Sequence, residues 1–289
     1  MKLGLCTDSG SVTHMGEKCL QGDMDICSSL LVLVGRSLGV GVYARVASAY
    51  IAAGVDLFSI PHPGVKQPIG LSEEQLKLAS KLGDVHTAVF WFLKWFPKKS
   101  LPDNLEKCFN PLCFNKMLVE VGDIVEDLAA AAYAAPVWGL RLQLALGFAY
   151  QKNIVCQHGN RCVSCHIEED PRREPLQMLN AEVKISEWSV CYYFEQRDSC
   201  SWLVYTKTAR FPNLKGLTVL PANIAAWFAH FRFRQEEKFD FGMAFRCLLN
   251  DPLRHTSLTE FVSVVAESDA TAEAVKQLIP KQVRKRELS

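Results

Sequence analysis

The sequence predicts an α+β protein with two lobes, a mainly helical lobe over residues 1–152 and a Cys/His-rich lobe over residues 153–289. Apolar residues recur at helical spacing over residues 116–134. β-forming residues dominate residues 182–195 and 200–209, which a polar turn separates. A dense group of cysteines and histidines lies between these two patterns. With 289 residues, of which 49% are hydrophobic, the chain is long enough to bury a sizeable core.

The helical lobe begins with a pattern typical of a βαβ unit. An apolar run over residues 30–34 precedes several glycines, a small-residue helix that ends at Gly54 and a second apolar run to residue 60. This pattern predicts two strands joined through one helix.

Three glycines in this unit, Gly35, Gly39 and Gly41, are separated by three residues and then by one. They resemble the nucleotide-binding turn of the short-chain dehydrogenases. The resemblance implies that NAD(P) binds with its pyrophosphate at the helix N-terminus, and that these glycines are the cofactor-binding residues. The alternative is that they only permit close packing of helices.

Four further segments complete the helical lobe. Ser72 and Gln75 have the spacing of a capping box and predict a helix to about Leu82. Residues 85–96 are so apolar and aromatic that their periodicity does not distinguish a strand from a helix. Helices are predicted over residues 116–134 and 138–150, with Pro136 between them.

Basic residues lie among aromatic ones in two places, at Lys94 and Lys98 and at Arg232 and Arg234. Aromatic rings stack on bases and cations neutralise phosphates, so these four residues are candidates for binding RNA. The alternative is a buried aromatic segment with a basic rim, and ordinary packing of arginine on a helix surface.

The cysteine and histidine group contains the densest chemistry of the chain. Thiolate and imidazole ligands suit a tetrahedral zinc ion, and zinc in such a site holds a fold together. Cys-x2-Cys-His is also the motif of covalent haem attachment, and a third alternative is a group of reduced thiols without metal. The candidate zinc ligands are Cys156, His158, Cys162, Cys165, His166, Cys191 and Cys200.

The rest of the second lobe is predicted as an antiparallel hairpin over residues 182–209, one further strand over residues 214–220, and terminal helices. Within the tail, Ser257-Leu258, Val262, Ala266 and Leu278-Ile-Pro280 resemble the elongin-binding SOCS box of ubiquitin-ligase receptors. That resemblance implies elongin and cullin partners. The alternative is a pair of C-terminal capping helices.

Charge and cysteine usage indicate the compartment. The net charge is only +1, so the whole chain does not steer toward polyanions. Asp8 falls where a secretory signal is apolar, and Arg36 and Arg45 interrupt the most apolar window, so neither a signal peptide nor a membrane span is predicted. Eleven scattered cysteines fit a reducing compartment, and we expect an intracellular protein of the cytoplasm or nucleus.

No catalytic group is recognised in the sequence. None of the seven tyrosines is followed four residues later by lysine, as the proton relay of the short-chain dehydrogenases requires. The sequence therefore predicts a non-enzymatic interaction protein of the adaptor or host-modulating type, with a structural zinc site and an unidentified protein partner. An NAD(P)-binding protein and an RNA-binding protein are the alternatives.

Overall fold

The computed structural model describes residues 5, 10–12, 14–21, 24–58, 70–96, 102, 105, 107–122, 138–158, 161–164, 182–193, 201–208 and 213–221. Helices and a mixed sheet in these residues confirm the α+β class. The α-helices are α1 His14–Leu20, α2 Ile26–Ser37, α3 Gly41–Ala53, α4 Glu73–Lys77, α5 Asp84–Trp95, α6 Pro111–Val121 and α7 Trp138–Ala149. The terminal helices and the SOCS-box-like tail lie outside the described residues.

The predicted βαβ start is wrong in its first strand, because the apolar run over residues 30–34 lies inside α2. Asp25 caps this helix by accepting hydrogen bonds from the backbone N–H groups of Cys27 and Ser28. The run is buried almost completely, so it lacks the one-sided pattern that separates a strand from a helix. In place of the second strand, Phe58 forms one isolated bridge with Phe109.

The other helices follow the sequence more closely. The capping box is present, because Ser72 and Gln75 exchange side-chain to backbone hydrogen bonds of 2.9 and 3.2 Å. The helix it opens ends at Lys77, earlier than predicted. Residues 85–96, which the sequence left undecided, are almost entirely α5. The helix α6 begins five residues before the predicted start at residue 116, and α7 matches its prediction within one residue.

Five strands form a closed sheet in the order β1-β2-β3-β5-β4, with β4 pairing back to β1. All neighbours are antiparallel except β3 and β5, which are parallel. The strands are β1 Ile154–His158, β2 Arg161–Ser164, β3 Glu182–Ile185, β4 Ser201–Thr208 and β5 Asn213–Leu220.

Antiparallel pairs are present, as predicted, and so is the strand predicted at residues 214–220. The hairpin predicted over residues 182–209 is wrong in its partners, since β4 pairs with β1 and β5 and not with β3. After β3 the chain turns into a 3-10 helix, Val190–Tyr193. Ser189, directly before this helix, and Val190, its first residue, donate hydrogen bonds to Asp84 of α5, so the segment contacts the helical layer.

The closed sheet and the helical layer, formed by α1 to α7, share a core. Along β4, Trp202 and Val204 belong to the same apolar cluster as the helices, whereas Leu203 and Tyr205 line the interior of the sheet. This alternation is the period of two that a strand imposes. None of the described helices has both the length and the apolar character that crossing a membrane requires.

Candidate functional site

A buried carboxylate marks the place where the helical layer meets the closed sheet. Asp84 is the first residue of α5, and its side chain accepts hydrogen bonds from the Ser189 hydroxyl at 2.8 Å, the Val190 N–H at 2.8 Å and the Leu217 N–H at 3.0 Å. Only 6% of the residue is exposed. Asp84 therefore joins α5 to the 3-10 helix and to β5.

Gly83 makes this close approach possible. Its φ of +109° lies in the region that favours glycine, and a Cβ there would overlap the carbonyl oxygen of Leu217. The Val219 N–H donates to the Leu82 carbonyl at 3.0 Å, so the chain before α5 lies directly against β5. The glycine thus fixes the position of Asp84 relative to the sheet.

Burial raises the pKa of Asp84 to about 6, and the hydrogen bonds from Leu217, Ser189 and Val190 only partly offset that effect. The charge of Asp56 raises the pKa of Asp84 further. Asp56 itself pairs with Lys215, whose Nζ lies 2.8 Å from each carboxylate oxygen. The nearby cation is therefore engaged with the other carboxylate.

A small polar cleft lies beside these groups. It encloses about 10 Å³, roughly the volume that one water molecule needs. Burial raises the pKa of Tyr50 well above its ordinary value, and the Asp84 charge adds to the effect. The cleft suits one bound water and proton exchange among its own side chains. Its lining residues are Tyr50, Asp56, Leu57, Phe58, Asp84, Ser186, Trp188, Ser189, Lys215 and Gly216.

His86 lies two residues after Asp84 and is fully buried. Its Nε2 lies 2.9 Å from the Gly139 carbonyl oxygen, a contact that requires the ring hydrogen on Nε2. Nδ1 has no partner among the described residues. Burial lowers the pKa of His86 to about 4, so the ring is neutral at physiological pH. The ring stacks on Trp138, which stacks in turn on Tyr43.

The structure places three candidate zinc ligands on the β1–β2 hairpin. Residues two apart on a strand share a face, so Cys156 and His158 occupy positions on one face of β1. Cys162 of β2 is the register partner of Gln157, and it therefore occupies a position on the opposite face. Cys165, His166 and Cys200 lie outside the described residues.

Cys191, another candidate zinc ligand, lies inside the closed sheet. It lies in the 3-10 helix and is fully buried in the apolar interior of the closed sheet, with Leu203 and Leu214 among its neighbours in that cluster. Among the described residues, no group of three or more His, Cys, Asp or Glu side chains is arranged to hold a metal ion.

The three glycines of the predicted nucleotide turn form the corner between α2 and α3. A Cβ at Gly35 would overlap the Ala44 Cβ, and one at Gly41 would lie 2.7 Å from the Arg36 Cγ. Gly39 has a φ of +71°. Two helices flank the corner, whereas a dinucleotide turn follows a strand. The arrangement matches the alternative of close helix packing, and nucleotide binding stays a prediction.

Of the four candidate nucleic-acid residues, the structure describes Lys94. It is exposed on α5, and its ammonium group lies 4.5 Å from the ring centroid of Trp91. The aromatic neighbours it was predicted to have are therefore present. Lys98, Arg232 and Arg234 lie outside the described residues.

Sequence reasoning missed the polar cleft. Asp56, Asp84 and Lys215 are separated by as many as 159 residues, so no local spacing links them. The one available signal was Asp84 directly after Gly83, because acids are favoured in the first turn of a helix. No protein-family model matches this chain, and no curated protein matches it in sequence.

Proposed function

We propose that the protein is a non-enzymatic interaction protein whose Cys/His-rich hairpin holds a structural zinc ion. The observation that carries the interaction role is an exposed apolar face on α6. Leu112 is 55% exposed and Val119 is 80% exposed, and both lie on the same side of the helix. The opposite side of α6 is buried, with Cys113 and Met117 at the core.

The chemistry of this face indicates the partner. Lys116 lies between Leu112 and Val119 and is also exposed; its ammonium group donates one hydrogen bond to the Ala53 carbonyl at 3.3 Å and keeps further N–H donors for a partner. Two apolar side chains around one cation fit a protein segment that presents apolar residues around a carboxylate. The proposed partner is thus a protein with an amphipathic, locally acidic segment.

The zinc part of the proposal is supported by the backbone position of the hairpin. Cys156 and His158 share a face of β1, so they form the pair of ligands around which the site is proposed. Cys165, His166 and Cys200 supply the remaining candidates. Cys162 and Cys191 are not part of this set, because Cys162 occupies the other face and Cys191 lies in the apolar interior.

The zinc site is tested on the full chain, purified without added metal, by elemental analysis and by thermal unfolding with and without a chelator. We expect about one zinc per chain and a lower melting temperature after chelation. Cys156→Ser should lose the metal, whereas Cys191→Ser should retain it. If the purified protein contains no metal and its melting temperature does not change with the chelator, this part of the proposal is overturned.

The α6 face is tested with Leu112→Asp combined with Val119→Lys. The acid falls in the first turn and the base in the last, so both charges agree with the helix dipole and the fold should persist. We expect a purified amphipathic acidic peptide to bind the wild type and not the variant. Leu20→Asp changes a leucine on α1 that is 65% exposed, against 55% for Leu112, and serves as the control. Equal binding by all three proteins contradicts the proposal.

A second candidate function is RNA binding, and the topology of the closed sheet favours it. Its strand order, with β3 parallel to β5, is that of the OB fold, a five-stranded architecture that often binds oligonucleotides through strands 2 and 3. Lys184 on β3 is exposed and adds a positive charge there. This location differs from Lys94, which lies on α5.

RNA binding is measured with a labelled single-stranded oligonucleotide at several salt concentrations. The affinity for RNA should fall steeply as salt increases. If β3 contacts phosphates, Lys184→Glu should weaken RNA binding about tenfold. Lys81→Glu, at another exposed lysine, is the control. No binding at low salt removes this candidate, and equal losses in both variants remove the assignment to β3.

A further inference from the structure

The joint between α5 and the closed sheet depends on Asp84, a carboxylate with no cation partner among the residues that the structure describes. The two oxygens of Asp84 accept different numbers of hydrogen bonds. Oδ2 accepts from the Ser189 hydroxyl and the Leu217 N–H, whereas Oδ1 accepts from the Val190 N–H alone. One proton could therefore reside on Oδ1 while both contacts to Oδ2 are kept.

Each element that packs against Asp84 places a charged or titratable group near it. Tyr50 comes from α3, Asp56 from the segment after α3, and Lys215 from β5. Cys191 comes from the 3-10 helix, where its N–H donates to Ser189. Among the described residues, two carboxylates, Asp56 and Asp84, and one cation, Lys215, line the cleft, and Lys215 is bound to Asp56. Adding one proton balances these charges.

We propose that the polar cleft is a proton-binding switch, in which Asp84 takes up one proton from solvent on acidification and the helical layer then holds the closed sheet more firmly. The proton adds to Oδ1, and the carboxylate becomes a neutral acid that can donate to a cleft water or to Tyr50. The uptake removes a buried charge, and the hydrogen bonds to Oδ2 persist. The cleft is the route by which the proton reaches the acid.

The pKa of Asp84 differs between the folded and the unfolded protein, and this difference decides whether acid stabilises the fold. Burial raises the pKa of Asp84 to about 6 in the folded protein, whereas an unfolded aspartate keeps its ordinary, lower value. Between these values the folded state binds the extra proton, so its stability increases as pH falls through this window. His86 has the opposite dependence, because its pKa is lowered by burial. The test therefore has to separate the two residues.

The first experiment compares denaturant unfolding of the wild type and Asp84→Asn across pH, because His86 affects both proteins alike. The unfolding equilibrium constant of the wild type, divided by that of the variant, should fall roughly tenfold from about pH 7.5 to about pH 5. Glu73→Gln, at an exposed acid, should leave the wild-type profile unchanged. A ratio that does not vary with pH overturns the proposal.

A second experiment does not depend on whether Asp84→Asn folds. Carbon NMR of the side-chain carboxyls in the full wild-type chain follows the Asp84 resonance directly, assigned through the neighbouring amides of Val190 and Leu217. We expect it to titrate near pH 6, and at lower pH in Asp56→Asn, where the repelling charge is gone. If Asp84 titrates with the ordinary pKa of an aspartate, or if its pKa is unchanged in Asp56→Asn, the proposal is overturned.

Discussion

The helical layer and the closed sheet bury their apolar side chains in different ways. The helices share one large cluster, to which α2, α3, α5, α6 and α7 all contribute. Among the described residues, seven buried apolar side chains form the cluster inside the closed sheet. The largest residue of β4, Trp202, faces the helices and not that interior. A small core of this kind gives limited stability, so the sheet depends on the helices that cover it.

Two kinds of contact hold the sheet to the helices. One is apolar, through Trp202, Val204 and Leu220. The other is polar, through Asp84 and the backbone around Gly83. The apolar contact is insensitive to pH, whereas the polar one contains groups that titrate. Substitutions at Trp202 and Gly83 test these two contacts, and substitutions at His86 and Ser72 test the helical layer itself.

Trp202→Ala removes the largest apolar side chain at the boundary. We expect a loss of about 4 kcal/mol in the free energy of unfolding, because a buried aromatic leaves a cavity. The loss should lower the stability of helices and sheet together, as measured by circular dichroism in denaturant. Lys207→Ala, on the same strand but exposed, should change stability by less than about 0.5 kcal/mol. Similar losses in both variants would mean that the sheet does not depend on this contact.

His86 should make the helical layer sensitive to acid. The folded state holds the ring neutral until its pKa of about 4, whereas the unfolded state binds a proton near the ordinary value of 6.5. The contribution of His86 to the free energy of unfolding is therefore complete above the unfolded-state pKa. As pH falls from there to the folded-state pKa, roughly 3 kcal/mol of it is lost. His86→Gln keeps a donor for Gly139 and should remove this loss. A difference between the two proteins that is constant from neutral pH to about pH 4 contradicts the prediction.

Gly83→Ala tests the close approach of the chain to β5. The added Cβ meets the Leu217 carbonyl, and the backbone conformation is one that side chains rarely adopt. Gly122→Ala has the same kind of backbone strain at φ +62°, but open space around the Cβ. We expect Gly83→Ala to lose roughly 2 kcal/mol more than this control in denaturant unfolding. Equal losses would show that the sheet yields easily at this point.

Ser72→Ala should have the smallest effect of the four. It removes a side-chain cap from α4, a hydrogen bond in which Asp84 takes no part. We expect a loss of about 1 kcal/mol in the free energy of unfolding. The pH dependence of the wild type should be retained, since neither His86 nor Asp84 changes. A shifted pH profile in this variant would mean that the helical layer and the polar cleft are coupled through α4.

The sequence predicted those parts of the fold that have a local cause. The capping box at Ser72 and the amphipathic or apolar runs of α6 and α7 favour helices through residues that are close in sequence, whatever packs against them. The strand at residues 214–220 has a similar local signal. The run over residues 30–34 was misassigned because it is buried all round, and burial of that kind removes the periodicity on which the prediction rests.

The candidate sites divide in the same way. Spacing along the chain identified Cys156, His158 and Cys162, but only the register of β1 with β2 showed that Cys162 occupies the other face. The polar cleft had no local signal, because Asp84 meets Ser189 and Leu217 across more than a hundred residues. Long-range hydrogen bonds of this kind depend on how the elements pack.

Residues close together in the chain are sufficient to predict the α+β class, several helix starts and the concentration of metal-binding side chains. The tertiary structure decided that the glycines of residues 35–41 form a corner between two helices, that β4 pairs with β1 and β5, and that Asp84 is buried with Asp56 and Lys215 nearby. The physical reason is burial. A glycine, a strand or a carboxylate acquires its role from the groups packed around it, and those groups are distant in sequence.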